Sequence, residues 1–169
     1  MTDARDRSRT VRWDDPLAGA DLARQMSGLR YIEAIQRGEM PSAPMASLMG
    51  LSIAEVEEGR VVFAVEPAEY HYNPIGAVHG GLACTISDSA MGCAVHTTLP
   101  AGVGYTTLEL KTNLLRAITL DSGRLLCEGR TLHVGGRTAT AEASLTDASG
   151  RLCAHATTTC LLFRPETGR

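Results

Sequence analysis

The stretch NPIGAVHGGLACTISDSAMGCAVHTT, residues 73–98, contains a long helical run with a single acidic side chain, Asp88, inside it. No proline interrupts the chain between His79 and Thr97. A helix over those residues spans about 28 Å, enough to cross several strands of a sheet. At helical spacing, Gly81, Cys84, Asp88, Gly92 and Val95 share one stripe, and every member but Asp88 is small or apolar. A carboxylate on such a stripe is costly to bury unless it is paired or functional. The bland alternative is that this stripe faces solvent and that Leu82, Ile86, Ser89 and Cys93 form the core face. Both faces are rather apolar, so one is expected to pack on the chain's own sheet and the other on a second subunit.

Working outward, residues 67–78 read as a loop rich in Pro, Tyr, His and Asn. Before it, Leu51 to Glu57 and Arg60 to Glu66 are short apolar runs joined by Glu58-Gly59, which predicts a hairpin. After the helix come four strand-like segments, 105–118, 124–132, 137–146 and 151–163, with turns at Gly135-Gly136 and Ser149-Gly150. The third alternates most cleanly, with Ala139, Ala141, Ala143 and Leu145 on one face. The first alternates too, with Leu108, Leu110 and Leu114 on one face and Glu109, Lys111 and Asn113 on the other. A hairpin, one long helix and a run of strands predict an α+β domain with a single antiparallel sheet. Residues 1–18 are charged and aperiodic, which suggests a flexible arm, and 19–44 read as an N-terminal helix and loop. Asp21 is the expected cap of a helix to Gln36, carrying Leu22, Met26, Leu29, Ile32 and Ile35, with Arg37-Gly38 as its stop and Pro41 and Pro44 marking a loop. The main domain is then 45–169.

Bulk composition narrows the function. A chain of 169 residues fits one domain, and a net charge of -3 leaves no basic footprint for nucleic acid. No apolar run approaches the roughly 20 residues that span a bilayer, so no membrane partner is expected. The charged N-terminus lacks an apolar signal region, which predicts a cytoplasmic location. Five cysteines, none in a C-x-x-C pair, fit buried small hydrophobes better than a disulfide framework or a zinc site. No metal and no cofactor are expected.

The chemistry gathers at the helix start. His79, Gly80 and Gly81 open the helix, although each glycine disfavours helix by about 1 kcal/mol. They make sense if a ligand must approach the backbone, because first-turn N–H groups lack intrahelical partners and favour negative charge. A carbonyl becoming an oxyanion suits that position. Tight loop-to-helix packing explains the glycines equally well. Asn73, followed by Pro74, reads by itself as turn chemistry.

Together, Asn73, Gly76, His79-Gly80-Gly81 and Asp88, with the later segment Thr106-Thr107-Leu108-Glu109-Leu110-Lys111, resemble the hot-dog-fold thioesterase superfamily. The resemblance covers about residues 45–163 and is specific to the branch of the phenylacetate-pathway and 4-hydroxybenzoyl-CoA thioesterases. It implies an antiparallel sheet wrapped around one long central helix, here with an N-terminal helical extension. It implies a dimer or dimer of dimers with active sites at subunit interfaces. It implies hydrolysis of an acyl- or aryl-CoA to a carboxylic acid and coenzyme A, the latter being part of the substrate. Asp88 is then general base or nucleophile, and Asn73 orients water or thioester from the other subunit. The Gly81 N–H polarises the carbonyl, with Gly80 beside it and His79 shaping the loop, and Thr107 helps hold the water or the acid. Candidates for the coenzyme A phosphates are Arg116 and the turn Gly135-Gly136-Arg137-Thr138, which serve equally as ordinary strand-start residues. A hot-dog hydratase or dehydratase and a non-catalytic acyl-CoA-binding module are the competing readings.

Overall fold

A computed structural model describes residues 7–17 and 19–164. Four helices, α1 (Ala20–Gln25), α2 (Gly28–Gln36), α3 (Pro44–Met49) and α4 (Gly80–Thr97), accompany six strands. These are β1 (Leu51–Glu57), β2 (Arg60–Val65), β3 (Gly104–Leu114), β4 (Leu125–Val134), β5 (Thr138–Thr146) and β6 (Leu152–Phe163). The strands form one antiparallel sheet in the order β1-β2-β4-β5-β6-β3, so β1 and β3 are its edges. The sheet packs around α4, and the architecture is the expected hot-dog α+β fold with an N-terminal helical extension.

Helix α4 forms where the run of Ala, Leu, Ile, Met and Cys begins. The His79 ring caps it by accepting from the Gly81 N–H, which offsets part of the cost of two glycines. Leu82, Ile86 and Met91 on α4 meet Leu125, Cys127 and Leu145 of the sheet, all essentially without exposure. Each such large apolar side chain contributes roughly 1.5–3 kcal/mol of burial. Gly129 on β4 is required for this approach, since a Cβ there would lie 2.4 Å from the Ala90 backbone. Opposite the buried side, Cys84, Thr85, Asp88, Ser89 and Cys93 are half-buried. Leu82 and Ile86 are therefore core as the bland alternative had it, but Ser89 and Cys93 sit with Asp88 on the partly covered side. The hairpin and the inward alanines of β5 stand where the alternation places them.

The N-terminal segment differs from the single helix expected. It breaks at Met26-Ser27 into α1 and α2, and the position before α1 is Gly19 rather than Asp21. Tertiary packing overrides the periodicity here: the Gly28 N–H donates to the Leu99 carbonyl, and a Cβ on Gly28 would lie 1.7 Å from the His96 oxygen. A continuous helix could not seat Gly28 against the end of α4. Pro44 begins α3 instead of marking a loop, because its missing N–H costs nothing in a first turn. Residues 7–9 of the expected arm lie on the fold: Arg7 pairs with Glu69, and Arg9 donates to the Leu48 and Ser47 carbonyls and stacks on Tyr70. Residues 1–6 and 18 lie outside the described residues. No helix among the described residues is long and apolar enough to cross a membrane.

Strand β3 is shorter than the expected 105–118 and lies at the sheet edge. A bulge between Thr107 and Glu109 resets its alternation, so Leu108 and Leu114 are more than half exposed and only Leu110 packs on the core. The single face expected for these three leucines is thus divided, Leu110 turning inward and Leu108 and Leu114 outward. After Leu114 the chain leaves the ladder, with the Leu115 and Arg116 N–H groups both donating to the Cys153 carbonyl.

Candidate active site

Asp88 stands on the half-buried side of α4 and accepts a 2.8 Å hydrogen bond at Oδ1 from the Thr107 hydroxyl. The bulge after Thr107 turns this threonine, not the exposed Thr106, toward the helix. A cavity of about 230 Å³ opens beside the pair. Among the described residues Asp88 is the only acidic one lining it, and Ser89, Cys93 and Tyr105 line it too. Burial, and then the neighbouring Asp88, push the Cys93 thiol up to about 12. It is therefore protonated near neutrality and unsuited to act as a nucleophile. Burial also raises the Tyr105 phenol well above its usual range, so it stays neutral. Ser89 spends its hydroxyl on the Thr85 carbonyl one turn back. Asp88 is left as the group in this cavity suited to abstract a proton or attack a carbonyl.

Asn73 begins a tight loop before α4. Its Oδ1 accepts from the Ile75 N–H at 3.0 Å and the Ala77 N–H at 3.4 Å, and Gly76 closes the turn at φ +85°. Only a residue without a Cβ takes that conformation freely. The side-chain oxygen thus builds the loop, and the amide donor remains for a ligand. Asn73, His79, Gly80 and Arg116 line one cavity of about 270 Å³, so the loop, the helix start and one phosphate candidate come together.

The helix start is engaged differently from the simple expectation. The Gly81 N–H is held by His79 Nδ1 at 2.9 Å. A ring accepting at Nδ1 carries its proton on Nε2 when neutral, and His79 is exposed, so Nε2–H faces outward as a donor. A substrate oxygen reaches the Gly81 N–H only by displacing that ring. The Gly80 N–H takes no partner among the described residues. Gly80 also serves packing, because a Cβ there would lie 2.6 Å from the end of Leu114.

The site residues fall into two groups. Gly81 and Asp88 lie seven residues apart on one helix, about 10 Å along its axis. On β6, Cys160 pairs with Thr107 while Ala154 pairs with Leu114. The Thr107 end and the Arg116 end of β3 are therefore about 20 Å apart. The second phosphate candidate lies at the Thr107 end, since Thr138 pairs with Leu161 and the Gly135 N–H closes the turn on the Thr138 carbonyl. Within one chain, Arg116 and Arg137 cannot grip the same phosphate. The structure joins Asp88 to Thr107, and Asn73 to His79, Gly80 and Arg116, but not the first group to the second. Reading the sequence missed Tyr105, Cys93 and the α2–α3 residues around Asp88. Cys93 was visible as a helical neighbour of Asp88, whereas nothing local marks α2 and α3.

The family model described as the thioesterase superfamily matches residues 75–154, the span that holds α4, β3, β4 and β5. A candidate esterase of Halobacterium salinarum is 30% identical over 106 residues, covering 60% of this chain and 68% of its own length. The chain belongs to the thioesterase superfamily. A 1,4-dihydroxy-2-naphthoyl-CoA hydrolase of Listeria monocytogenes is 25% identical over 104 residues, 62% of this chain and 83% of that protein. Among solved structures, a candidate thioesterase related to phenylacetic acid degradation, from Ralstonia eutropha, superimposes with a TM-score of 0.71 at 28% identity. That match covers 78% of this chain and 98% of the other. Membership of this superfamily supports a hydrolase, and the hot-dog architecture agrees with it.

Proposed function

We propose that the protein is an acyl-CoA thioesterase that works as a homodimer or higher assembly, each active site being made from two copies. The observation that carries the reading is the Asp88–Thr107 pair facing a cavity beside the central helix. Asp88 is the general base that draws a proton from water, or the nucleophile that forms an acyl-enzyme anhydride. Oxyanion charge falls on donors of the helix start, the Gly80 N–H, His79 Nε2–H and, once the ring swings away, the Gly81 N–H. Asn73 offers its amide to the water or the thioester oxygen.

A second copy supplies what the single chain keeps apart. Edge strand β3 presents Leu108 and Leu114, both more than half exposed. Two such edges paired antiparallel about a twofold axis put the Thr107 end of one copy beside the Arg116 end of the other. That arrangement carries Asn73 and His79 of one copy toward Asp88 of the second, and Arg116 toward the Arg137 turn, where coenzyme A phosphates would be held.

Thiol release from short, medium, long and aryl acyl-CoAs tests the reading, with the natural chain measured against Asp88→Asn. Loss of turnover by about a hundredfold or more is expected, the scale of removing a general base or nucleophile. Full activity in a folded Asp88→Asn variant would mean that Asp88 is structural. Hydration of an enoyl-CoA without thiol release would turn the assignment to a hydratase.

A further inference from the structure

The cavity beside Asp88 has walls of two origins. Strands β1 to β3 and helix α4 supply one side, including Ile53, Phe63 and Tyr105. The other side is the N-terminal extension: Ile35 from α2, Ser42 and Ala43 from the connecting loop, and Met45 and Ala46 from α3. All five precede the residues matched by the family model, which begin at 75. Ile32 and Ile35 tie α2 to the core and Ala46 ties α3 to it, so this roof is a fixed part of the fold. The described residues that one copy contributes to the lining include no Lys, Arg or His, and the Asn73 and His79 that a second copy brings toward Asp88 belong to the oxyanion end of the site rather than to the roof. An acyl group bearing a carboxylate, or a coenzyme A phosphate, would therefore enter with its charge unpaired and facing Asp88. An uncharged apolar acyl group meets neither cost.

We propose that the α2–α3 roof is a specificity element that confines the Asp88 cavity to compact, uncharged acyl groups, with Ile35 and Met45 as the side chains that set acyl length. The inference rests on the thioesterase reading and adds the substrate class and the residues that select it. Met45 is 53% exposed, which places it at the rim of the cavity rather than deep inside, where an elongating chain would meet it. Its unbranched thioether also fills irregular space with little strain. The larger cavity beside His79 and Gly81, about 540 Å³, is lined by Arg9 and by Leu48 and Met49 from the far end of α3, and does not include Asp88, so within the roof it is Ile35 and Met45 that bear on the space at the carboxylate.

The test is kcat/KM for straight-chain acyl-CoAs from acetyl to palmitoyl, with succinyl-CoA and benzoyl-CoA added. The natural chain, Met45→Ala, Met45→Trp and Ser42→Phe are compared, with circular dichroism to verify folding. The natural chain is expected to favour compact uncharged acyl groups and to discriminate strongly against succinyl-CoA. Met45→Ala should raise the long-to-short ratio by at least about tenfold, and Met45→Trp should lower it similarly, the scale of one or two methylenes in a fitted pocket. Ser42 is exposed, so Ser42→Phe narrows the same space if the tryptophan variant fails to fold. Folded variants whose length profile matches the natural chain would overturn the inference and leave the thioesterase reading standing. So would efficient hydrolysis of succinyl-CoA by the natural chain. No thiol release by the natural chain from any of these substrates would overturn the thioesterase reading, and the inference with it.

Discussion

The two halves of the candidate site are built by different means. At the Asp88 end, two regular elements present side chains to each other across the Thr107–Asp88 hydrogen bond, and a bulge in β3 fixes which threonine does so. At the Asn73 end, a loop and a helix cap present backbone groups, and most of the polar atoms there are already spent: Asn73 Oδ1 on Ile75 and Ala77, and Gly81 N–H on His79. The first half is rigid because two long elements hold it. The second is held by its own local hydrogen bonds, which a substrate can exchange for others. A hydrolase needs both a fixed base and a donor set that tightens on developing charge. Placing the halves at opposite ends of an edge strand makes a second copy the natural way to unite them.

Mixing variants breaks this comparison most sharply. Asn73→Asp keeps an acceptor to build the loop but replaces the amide donor with a carboxylate oxygen, which cannot donate to the substrate and repels developing oxyanion charge. It should be nearly inactive alone, as should Asp88→Asn. Exchanged together at equal amounts, random twofold pairing gives about half mixed dimers, each with one intact site, so about a quarter of natural activity returns. Activity that never returns on mixing, with mixed dimers shown to form, would mean that the halves act within one copy. Thr107→Val comes next in size. It removes a hydrogen bond to a carboxylate, worth about 1.5–3 kcal/mol, so kcat should fall about tenfold to a hundredfold. Thr107→Ser should restore it, and the kcat–pH profile should move in the valine variant and return in the serine variant. A valine variant with an unmoved profile would reduce Thr107 to packing.

Much of this was legible in residues 73–98 and in the alternation of the later strands. Helix α4, the hairpin and β5 follow directly from period, and Thr107 was reachable from its place beside Thr106 after the helix. What stayed hidden depends on contacts between distant parts. The break at Ser27 exists because Gly28 must meet His96, far along the sequence in helix α4. The exposure of Leu108 and Leu114 follows from the edge position of β3, which strand order decides and local alternation does not. The roof of residues 35–46 over Asp88 is tertiary in the same sense. Asp21 illustrates another limit: a residue type that caps well does not become the cap when the helix begins two residues earlier, after Gly19.

Two glycines sharpen the contrast between the ends in stability rather than rate. A Cβ on Gly92, one turn beyond Asp88, would lie 2.6 Å from the Tyr105 hydroxyl, which is wedged against His96 at a ring separation of 5.4 Å. Gly92→Ala should cost about 1–3 kcal/mol by overpacking, offset only in part by the roughly 1 kcal/mol that Ala gains over Gly in a helix interior. A Cβ on Gly80 meets only the tip of Leu114, a side chain 58% exposed and free to turn away. Gly80→Ala also gains about 1 kcal/mol of helix preference, so its net change should stay within about 1 kcal/mol of zero. Chemical denaturation of both variants decides the matter. Equal losses would show the two ends to be equally rigid.

The smallest expected effect is on pH dependence, and it too separates the ends. Burial lowers the pKa of His96, at the Tyr105 side of α4, and of His71, in the loop before it. His71 is partly compensated, because its Nε2 lies 3.0 Å from the Met49 carbonyl, whereas His96 has burial as its sole cause. A histidine whose folded pKa lies below the unfolded value, about 6.5, binds more protons when unfolded. The stability it contributes is complete above about pH 6.5 and is lost as pH falls through that value toward the folded pKa. Tm should therefore decline modestly between pH 7 and pH 5. Asp147 cannot cause that decline, because the Ser149 hydroxyl and Arg151 hold its carboxyl far below the usual range, and its contribution is lost only below about pH 4. His96→Gln should flatten the Tm–pH slope more than His71→Gln does. The reverse order would place the acid-sensitive element in the loop before α4 rather than at the Tyr105 side of the helix.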